Sequence, residues 1–398
     1  MRHTNNREDA MNINRTVVAA VSSMMLAWTM AGVAQDAAST LDNNAVNFQL
    51  SLVTPIQIQD AESSIRGLRI NLIYGLNDNL TGMDIGVVND LMGTLKGAQL
   101  GIVNIVESHA KSFQLSLGNI VLDDAQGLQL APVGMNYVGA QAGGWQMTLA
   151  GINMTMGKHD GGQVNVFGVN FTGDDSDNQI SGIGANWAAG KANGGQIVAA
   201  GLNLSGSDAD LQIMGAGLNL SLGVVNAAQF VAAGANASLD VTDKQLCGFG
   251  ANYVYGDAQG AQIAGIGANW AAGSADAQIA GIGLNSVLDQ VAGGQFSIIG
   301  ADFALNNVSG AQVAGLIGVN LAMGDVSGAQ IVLPLLGVNY SGNTDGVQWS
   351  GVNITGKLTG FQFGVVNFCQ ELDGIQFGVL NLAINNITPV MPILNASW

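Results

Sequence analysis

The 398 residues include 11 basic and 28 acidic side chains, a net charge of −17, yet only 10% of them are charged and 48% are hydrophobic. Such acidity excludes a nucleic-acid partner, whose phosphates need a basic surface, and disfavours electrostatic adhesion to anionic lipid headgroups. The apolar content excludes a disordered chain and is ample for a large core.

In chain order, Arg15 precedes an apolar run from Val17 to Ala34, closed by Gln35-Asp36. A basic start, a short apolar core and small residues before a polar stretch predict a secretory signal peptide over residues 1–34, cleaved near Ala34. An uncleaved anchor helix is the alternative, and Met11 is a second candidate start. No lipobox cysteine follows, so no lipid anchor is indicated. Residues 35–398 read as one all-β repeat domain, because no break in composition divides them. Within it, residues 46–58 alternate apolar and polar around Leu50 and predict an opening strand, with Pro55 at an edge or bend. Outside the signal, no stretch of ~20 apolar residues could cross a membrane as a helix.

Repeats occupy residues 67–383 and are clearest in Gly260-Ala-Gln-Ile-Ala-Gly-Ile-Gly-Ala-Asn-Trp-Ala-Ala-Gly273. The Gln recurs in eighteen slots from Gln99 to Gln376, each followed by an Asn, from Asn104 to Asn381. Asp302 holds one Asn slot, and Asp84 holds the Gln slot before Asn89. Gln-to-Asn spacing is 5 near both ends (Gln99, Gln348), 7 from Gln129 to Gln295, and 8 and 9 at Gln312 and Gln330. A step of two preserves side-chain parity in a strand. Asn-to-Gln spacing alternates 9 and 10 from Asn170 to Asn285. That alternation predicts two kinds of turn, one at each end of antiparallel hairpins.

Parity puts Gln179, Ser181, Ile183, Ala185 and Trp187 on one face, and Ile180, Gly182, Gly184 and Asn186 on the other. Neither looks made for water, so both are expected to be covered. Aromatics just after the Asn (Phe171, Trp187, Tyr253, Trp270, Phe303, Tyr340) would form girdles at both ends of such a sheet, as in outer-membrane barrels, or else be ordinary strand-end core residues. The 9-spaced connections hold Asp174, Asp175, Asp177, Asp208, Asp210, Asp240, Asp243 and Asp276, so one rim should be the more acidic. Residues 389–398 read as a closing strand. The count reaches about 22 strands, an even number as in bacterial barrels. The expected fold is an up-and-down antiparallel closed β-barrel of the outer membrane, with membrane lipid as partner and a structural, pore-like or surface-display role. The alternative is a β-solenoid, with Gln stacked on Gln, acting as a soluble or surface-attached binding or adhesion protein.

Gly97-Ala-Gln-Leu-Gly-Ile-Val-Asn104 and Gly360-Phe-Gln-Phe-Gly-Val-Val-Asn367 follow the pattern Gly-x-Gln-x-Gly-x-x-Asn. The lead-in Gly67-Leu-Arg-Ile-Asn-Leu-Ile-Tyr-Gly75, then Gly82-Met-Asp-Ile-Gly-Val-Val-Asn89, belongs with it. Over most of residues 46–398 the chain resembles a family of bacterial glycine-rich surface-repeat proteins. The resemblance implies an exported cell-envelope protein without an assigned activity. Some members are lipoproteins, whereas this chain lacks the cysteine, and its central repeats are two residues longer than the family pattern.

Chemistry is sparse. Gly265-Ile-Gly267-Ala-Asn-Trp270 starts like a dinucleotide fingerprint but lacks the third glycine and a βαβ context. His109 and His159 are read as solvated loop residues, since no cysteines stand at metal-ligand spacing from them. Cys247 and Cys369 lie in distant repeats and read as small apolar fillers. The Asp174-Asp175-Ser-Asp177-Asn178 turn has oxygen ligands suited to Ca²⁺ but no EF-hand spacing, and reads as a solvated turn. Catalysis needs one asymmetric site, whereas these features recur. The expectation is a non-enzyme with no catalytic, cofactor-binding or metal-ligating residues, in which the Gln and Asn series are scaffold.

Overall fold

The computed structural model describes residues 45–333 and 336–398. The expected signal peptide, residues 1–34, lies outside the described residues. Two compact units divide the chain, one ending at Asp174 and one running from Asp175 to Trp398. Both are all-β and both are built the same way.

Register decides the architecture. In the second unit, Gln262 lies beside Gln245 and Gln278, and Asn269 beside Asn252 and Asn285, in parallel pairing. In the first unit, Gln146 lies beside Gln129 and Gln163 in the same sense. Each unit is therefore a parallel β-solenoid, and the antiparallel barrel is overturned. The physical reason is in the amides. An amide can pass one hydrogen bond to a like neighbour on each side only if every coil presents it at the same place, which same-direction stacking achieves and hairpins do not.

One coil shows how the chain turns. Along the strand Ala258–Ala271, residues Ala258, Gln262, Ala264, Asn269 and Ala271 are buried and Ile266 is exposed. Gln262 and Asn269 are seven residues apart, which on a flat strand would put them on opposite faces. Both point inward because Ile266-Gly267 forms a corner and the two arms face each other. Gln262 Nε2 duly reaches the Trp270 carbonyl of its own coil at 3.2 Å. Gly267 has φ +147°, and a Cβ there would run into the Gly250 carbonyl of the coil beneath. Only glycine tolerates that corner. So the faces are not both covered, as parity had suggested: each arm has one face inside and one outside.

The 9/10 alternation has a different origin from two turn types. Ala258 pairs with Ala275, but Ala261 pairs with Ala277, so one coil carries an extra residue before its Gln. The next pairing reverses this, with Ala275 opposite Val291 and Ala277 opposite Gly294. The alternation is a β-bulge in every second coil. Short coils of the first unit differ at this same Gln-to-Asn corner, which is two residues shorter. There Gly101-Ile102 separates the strands Leu95–Leu100 and Val103–Val106.

The interior is polar as well as apolar. Gln114 Nε2 donates to Gln99 Oε1, Gln129 to Gln114 and Gln146 to Gln129, at 2.8–2.9 Å. In the second unit the same row runs through Gln262 to Gln245 and Gln278 to Gln262, at 2.9 and 2.7 Å. The Asn row has the opposite polarity. Asn252 Nδ2 donates forward to Asn269 Oδ1, and Asn269 to Asn285, each at 2.8 Å. Small apolar residues fill the remaining space, including the buried set Val254, Ala258, Ala271, Ala275 and Val287. A buried amide left unpaired costs about 1–3 kcal/mol, so full rows matter more than the ~1 kcal/mol net gain of each bond.

Row ends are capped. Gln99 donates to Asp84 Oδ2 at 3.1 Å, and that carboxylate is neutralised by Arg69, whose Nε and Nη2 bind it at 2.9 and 2.6 Å with both side chains fully buried. At the other terminus Asn395 Nδ2 donates to Gln376 Oε1 at 3.3 Å. The expected opening strand appears as Val46–Val53, parallel to Ile65–Asn77, with the short Ile56–Gln57 antiparallel on it. The expected closing strand, Val390–Ser397, lies antiparallel on the end of Val352–Ala383. It caps a sheet edge that would otherwise invite pairing; it does not close a barrel.

Candidate functional site

Solenoid stacking turns a sequence pattern into surfaces. Between each Gln from Gln99 onward and the Asn or Asp that follows it, no Asp, Glu, Lys, Arg or His occurs. The polar residues inside these arcs, Ser116, Thr148, Asn165, Ser181, Ser297 and Ser350, are all buried. What faces outward is aliphatic, aromatic or glycine. In the second unit the corner column runs Phe249, Ile266, Ile282, Ile299, Ile317 in register. Phe249 is 63% exposed and Ile317 59%. In the first unit Val133, Ala150 and Phe167 form the matching column, with Val133 61% exposed.

Two more columns flank the corner in the second unit. One is Ile263, Ile279, Phe296, Val313 and Ile331. The other, just after the Asn, includes Tyr253 stacked on Trp270 at 4.3 Å, then Ser286, Phe303, Leu321 and Tyr340. The aromatics that follow the Asn thus share one column of the second unit, beside the last turn before the charged edge; they do not form girdles at two ends.

Within each unit the charge sits on the opposite edge. Every Asn-to-Gln connection passes there, whether 9- or 10-spaced, so the acidic residues are not sorted onto one of two rims. Many carboxylates bridge coils: Asp257 Oδ1 accepts the Ser274 N–H at 2.7 Å and Asp208 Oδ1 the Val224 N–H at 3.1 Å. Asp175 Oδ1 accepts the Lys191 N–H, and Lys191 Nζ pairs with Asp208 at 3.0 Å. The Lys191 hydrogen bond lowers the Asp208 pKa, and Asp208 raises that of Lys191. Both ends of this pair are largely in water, so it adds little to stability.

Comparison of the chain with family models, with curated proteins and with solved structures gave no match. The site therefore rests on its own chemistry.

The residues singled out for chemistry do not converge. His109 is exposed as expected, with Nδ1 3.3 Å from Asp123 Oδ2 and 3.9 Å from Asp124 Oδ2. These three are a group within metal-ligating reach among the described residues, but Asp124 Oδ1 already accepts the Gln141 N–H at 3.0 Å and nothing encloses them. His159 corrects its reading as a solvated residue: it is 1% exposed, with Nδ1 3.0 Å from Thr155 Oγ1. It occupies the column that Ala142 holds in the preceding coil. Burial pushes its pKa down to about 4, against the raising effect of the Gly162 and Gly144 backbone and of Asp160. Cys247 and Cys369 are buried and free, and burial raises both thiols, Cys369 to about 12. Burial and the Asp90 hydrogen bond push the Tyr74 phenol up to about 12. Sequence reasoning missed Asp302 as a titratable group. It is wholly buried in the Asn row, and an acid in an amide slot was the available signal.

Proposed function

We propose that the chain is an exported, non-enzymatic β-solenoid of the cell surface or outer membrane that seats its charge-free edge in a lipid surface. The observation that carries this reading is the separation of apolar from charged side chains along each unit. Exposed apolar columns of this extent mark interaction surfaces in soluble proteins. The chemistry favours lipid over a polar ligand, because the arcs between each repeat Gln and its Asn carry no ionisable Asp, Glu, Lys, Arg or His and their hydroxyl and amide side chains are buried. The column of Tyr253, Trp270 and Tyr340 lies towards the charged edge, where amphipathic rings suit a headgroup boundary. With no cation on the edge and a net charge of −17, binding rests on apolar burial, so a zwitterionic bilayer suffices. Cell-surface placement is supported by the N-terminal signal pattern and by the resemblance to surface-repeat proteins. A non-enzymatic role is supported by repeated amides that serve one another.

The test is flotation of the purified chain with phosphatidylcholine vesicles. Wild type should rise with the vesicles, and the double variant Phe249→Asp, Ile266→Asp should stay below while keeping its β circular-dichroism spectrum. Both changes fall on outward positions, so the interior rows are untouched. Failure of wild type to float, or equal flotation of the folded variant, overturns the reading. In either case the edge would serve another protein or a glycan.

A further inference from the structure

The Asn row has one chemical fault. Each Asn uses Nδ2 to donate to Oδ1 of the next coil. Asn285 does so to Asp302 Oδ1 at 2.8 Å. Asp302 lies beside Asn320 in parallel register, at the position where an Asn would donate onward. A carboxylate has no hydrogen to give. Asp302 Oδ2 and Asn320 Oδ1 are accordingly both buried without a hydrogen-bond partner. Turning the Asn320 amide around would not mend this. Its Nδ2 is already committed to Gln312 O at 3.1 Å, Ile331 O at 3.0 Å and Asn339 Oδ1 at 2.9 Å. Two buried, unpartnered acceptors therefore occupy adjoining places in the row, where a single hydrogen on Asp302 would serve both.

We propose that Asp302 is a carboxylic acid in the folded chain, donating its proton to Asn320 Oδ1, so that the Asn row is closed when this group is protonated and broken when it ionises. The surroundings offer no charge to stabilise the ionised form. Of the flanking strands, Ala275–Val287 carries Asp276, which is exposed on the charged edge, and Ala311–Ala322 carries no titratable residue. Burial pushes the carboxyl up to about 7, against the lowering effect of the Asn285 hydrogen bond and of the nearby Ser297 hydroxyl, which is itself buried without a hydrogen-bond partner. The group is thus poised near neutral pH, and proton loss opens a link between two coils inside the second unit.

The sign follows from proton linkage. A carboxyl raised from about 4 to about 7 holds a proton in the folded chain that the unfolded chain has lost, so stability falls as pH rises through that window. The unfolding constant should increase by up to about tenfold per pH unit relative to Asp302→Asn, which restores the donor found in the other coils. Both proteins are unfolded with urea from pH 5 to pH 9, and difference infrared spectra are recorded over the same range. The expected result is a wild-type-to-variant ratio that climbs and then levels above neutrality, with a protonated-carboxyl band at pH 5 that Asp302→Asn lacks. A ratio constant with pH, or no such band, overturns the proposal. Because Asn already serves this slot elsewhere, the variant should fold, and neither readout depends on lipid binding.

Discussion

Replacing Gln262 by Leu tests whether the amide rows, and not merely the shape of the interior, hold the coils together. The side chain is buried and makes three hydrogen bonds: to Gln245 Oε1 at 2.9 Å, to Trp270 O at 3.2 Å and from Gln278 Nε2 at 2.7 Å. Leucine is of similar volume, so the cavity term is small. It leaves Gln245 Oε1 without a donor, while Gln278 Nε2 keeps only Ser286 O at 3.1 Å. One full orphan and one partial one, at about 1–3 kcal/mol for each unsatisfied group, predict a loss of about 2–4 kcal/mol. Solenoid coils couple mainly to their neighbours, so the loss should be concentrated in the adjoining coils. Hydrogen exchange localises the effect. Amides of Gln245–Val254 and Ala275–Val287 should exchange about 30- to 1000-fold faster, while those of Val390–Ser397 should hardly change. The exposed control Gln259→Leu should stay within about 0.5 kcal/mol. Exchange altered by less than threefold on both sides of Gln262→Leu would refute the claim that paired amides, rather than filled space, secure the stack.

Two further outcomes follow from buried charge. Asp84→Ala strips the partner from the buried Arg69 guanidinium, which keeps bonds to Asp90 O and Asn77 Oδ1 at 2.9 and 3.3 Å but loses its counter-charge. Breaking such a pair costs about 3–5 kcal/mol, and urea unfolding of the variant should show it; a midpoint equal to wild type would mean that the cap is dispensable. The His159 pKa is depressed to about 4 from 6.5, so the folded chain resists a proton that the unfolded chain takes up. Its contribution is present above pH 6.5 and is lost as pH falls towards 4, by up to about 3 kcal/mol. Thermal melts of wild type and His159→Gln at pH 7 and pH 4.5 should diverge at the lower pH, and parallel melts would contradict the burial of that ring.

Several features were legible in residue spacing because they are translational. Eighteen Gln slots in step with an Asn series declare a repeat, and the β character follows from glycine-punctuated apolar runs. The charge-free arcs are likewise a matter of reading, since Gln262-Ile-Ala-Gly-Ile-Gly-Ala-Asn269 holds no ionisable side chain in any fold. Parity failed at Ile266-Gly267, because a corner resets which side of the chain faces in; Gln262 and Asn269 thus share an interior that counting by twos denies them. The alternation of 9 and 10 was visible, but one inserted residue serves a bulge as well as a second turn type. His159 was misplaced because nothing local distinguishes a turn histidine from one that replaces an inward alanine.

By itself, then, the order of residues determined the period, the two amide series, the absence of charge between them and the all-β class, since each depends on what recurs along the chain. Strand direction, the shared interior of Gln and Asn and the gathering of the acidic turns onto one edge of each unit were decided only in three dimensions. Spacing records how far apart like residues lie, not which way the next strand runs. Direction is set by contacts between coils, where a buried Gln passes its hydrogen bond to the Gln of the adjoining coil.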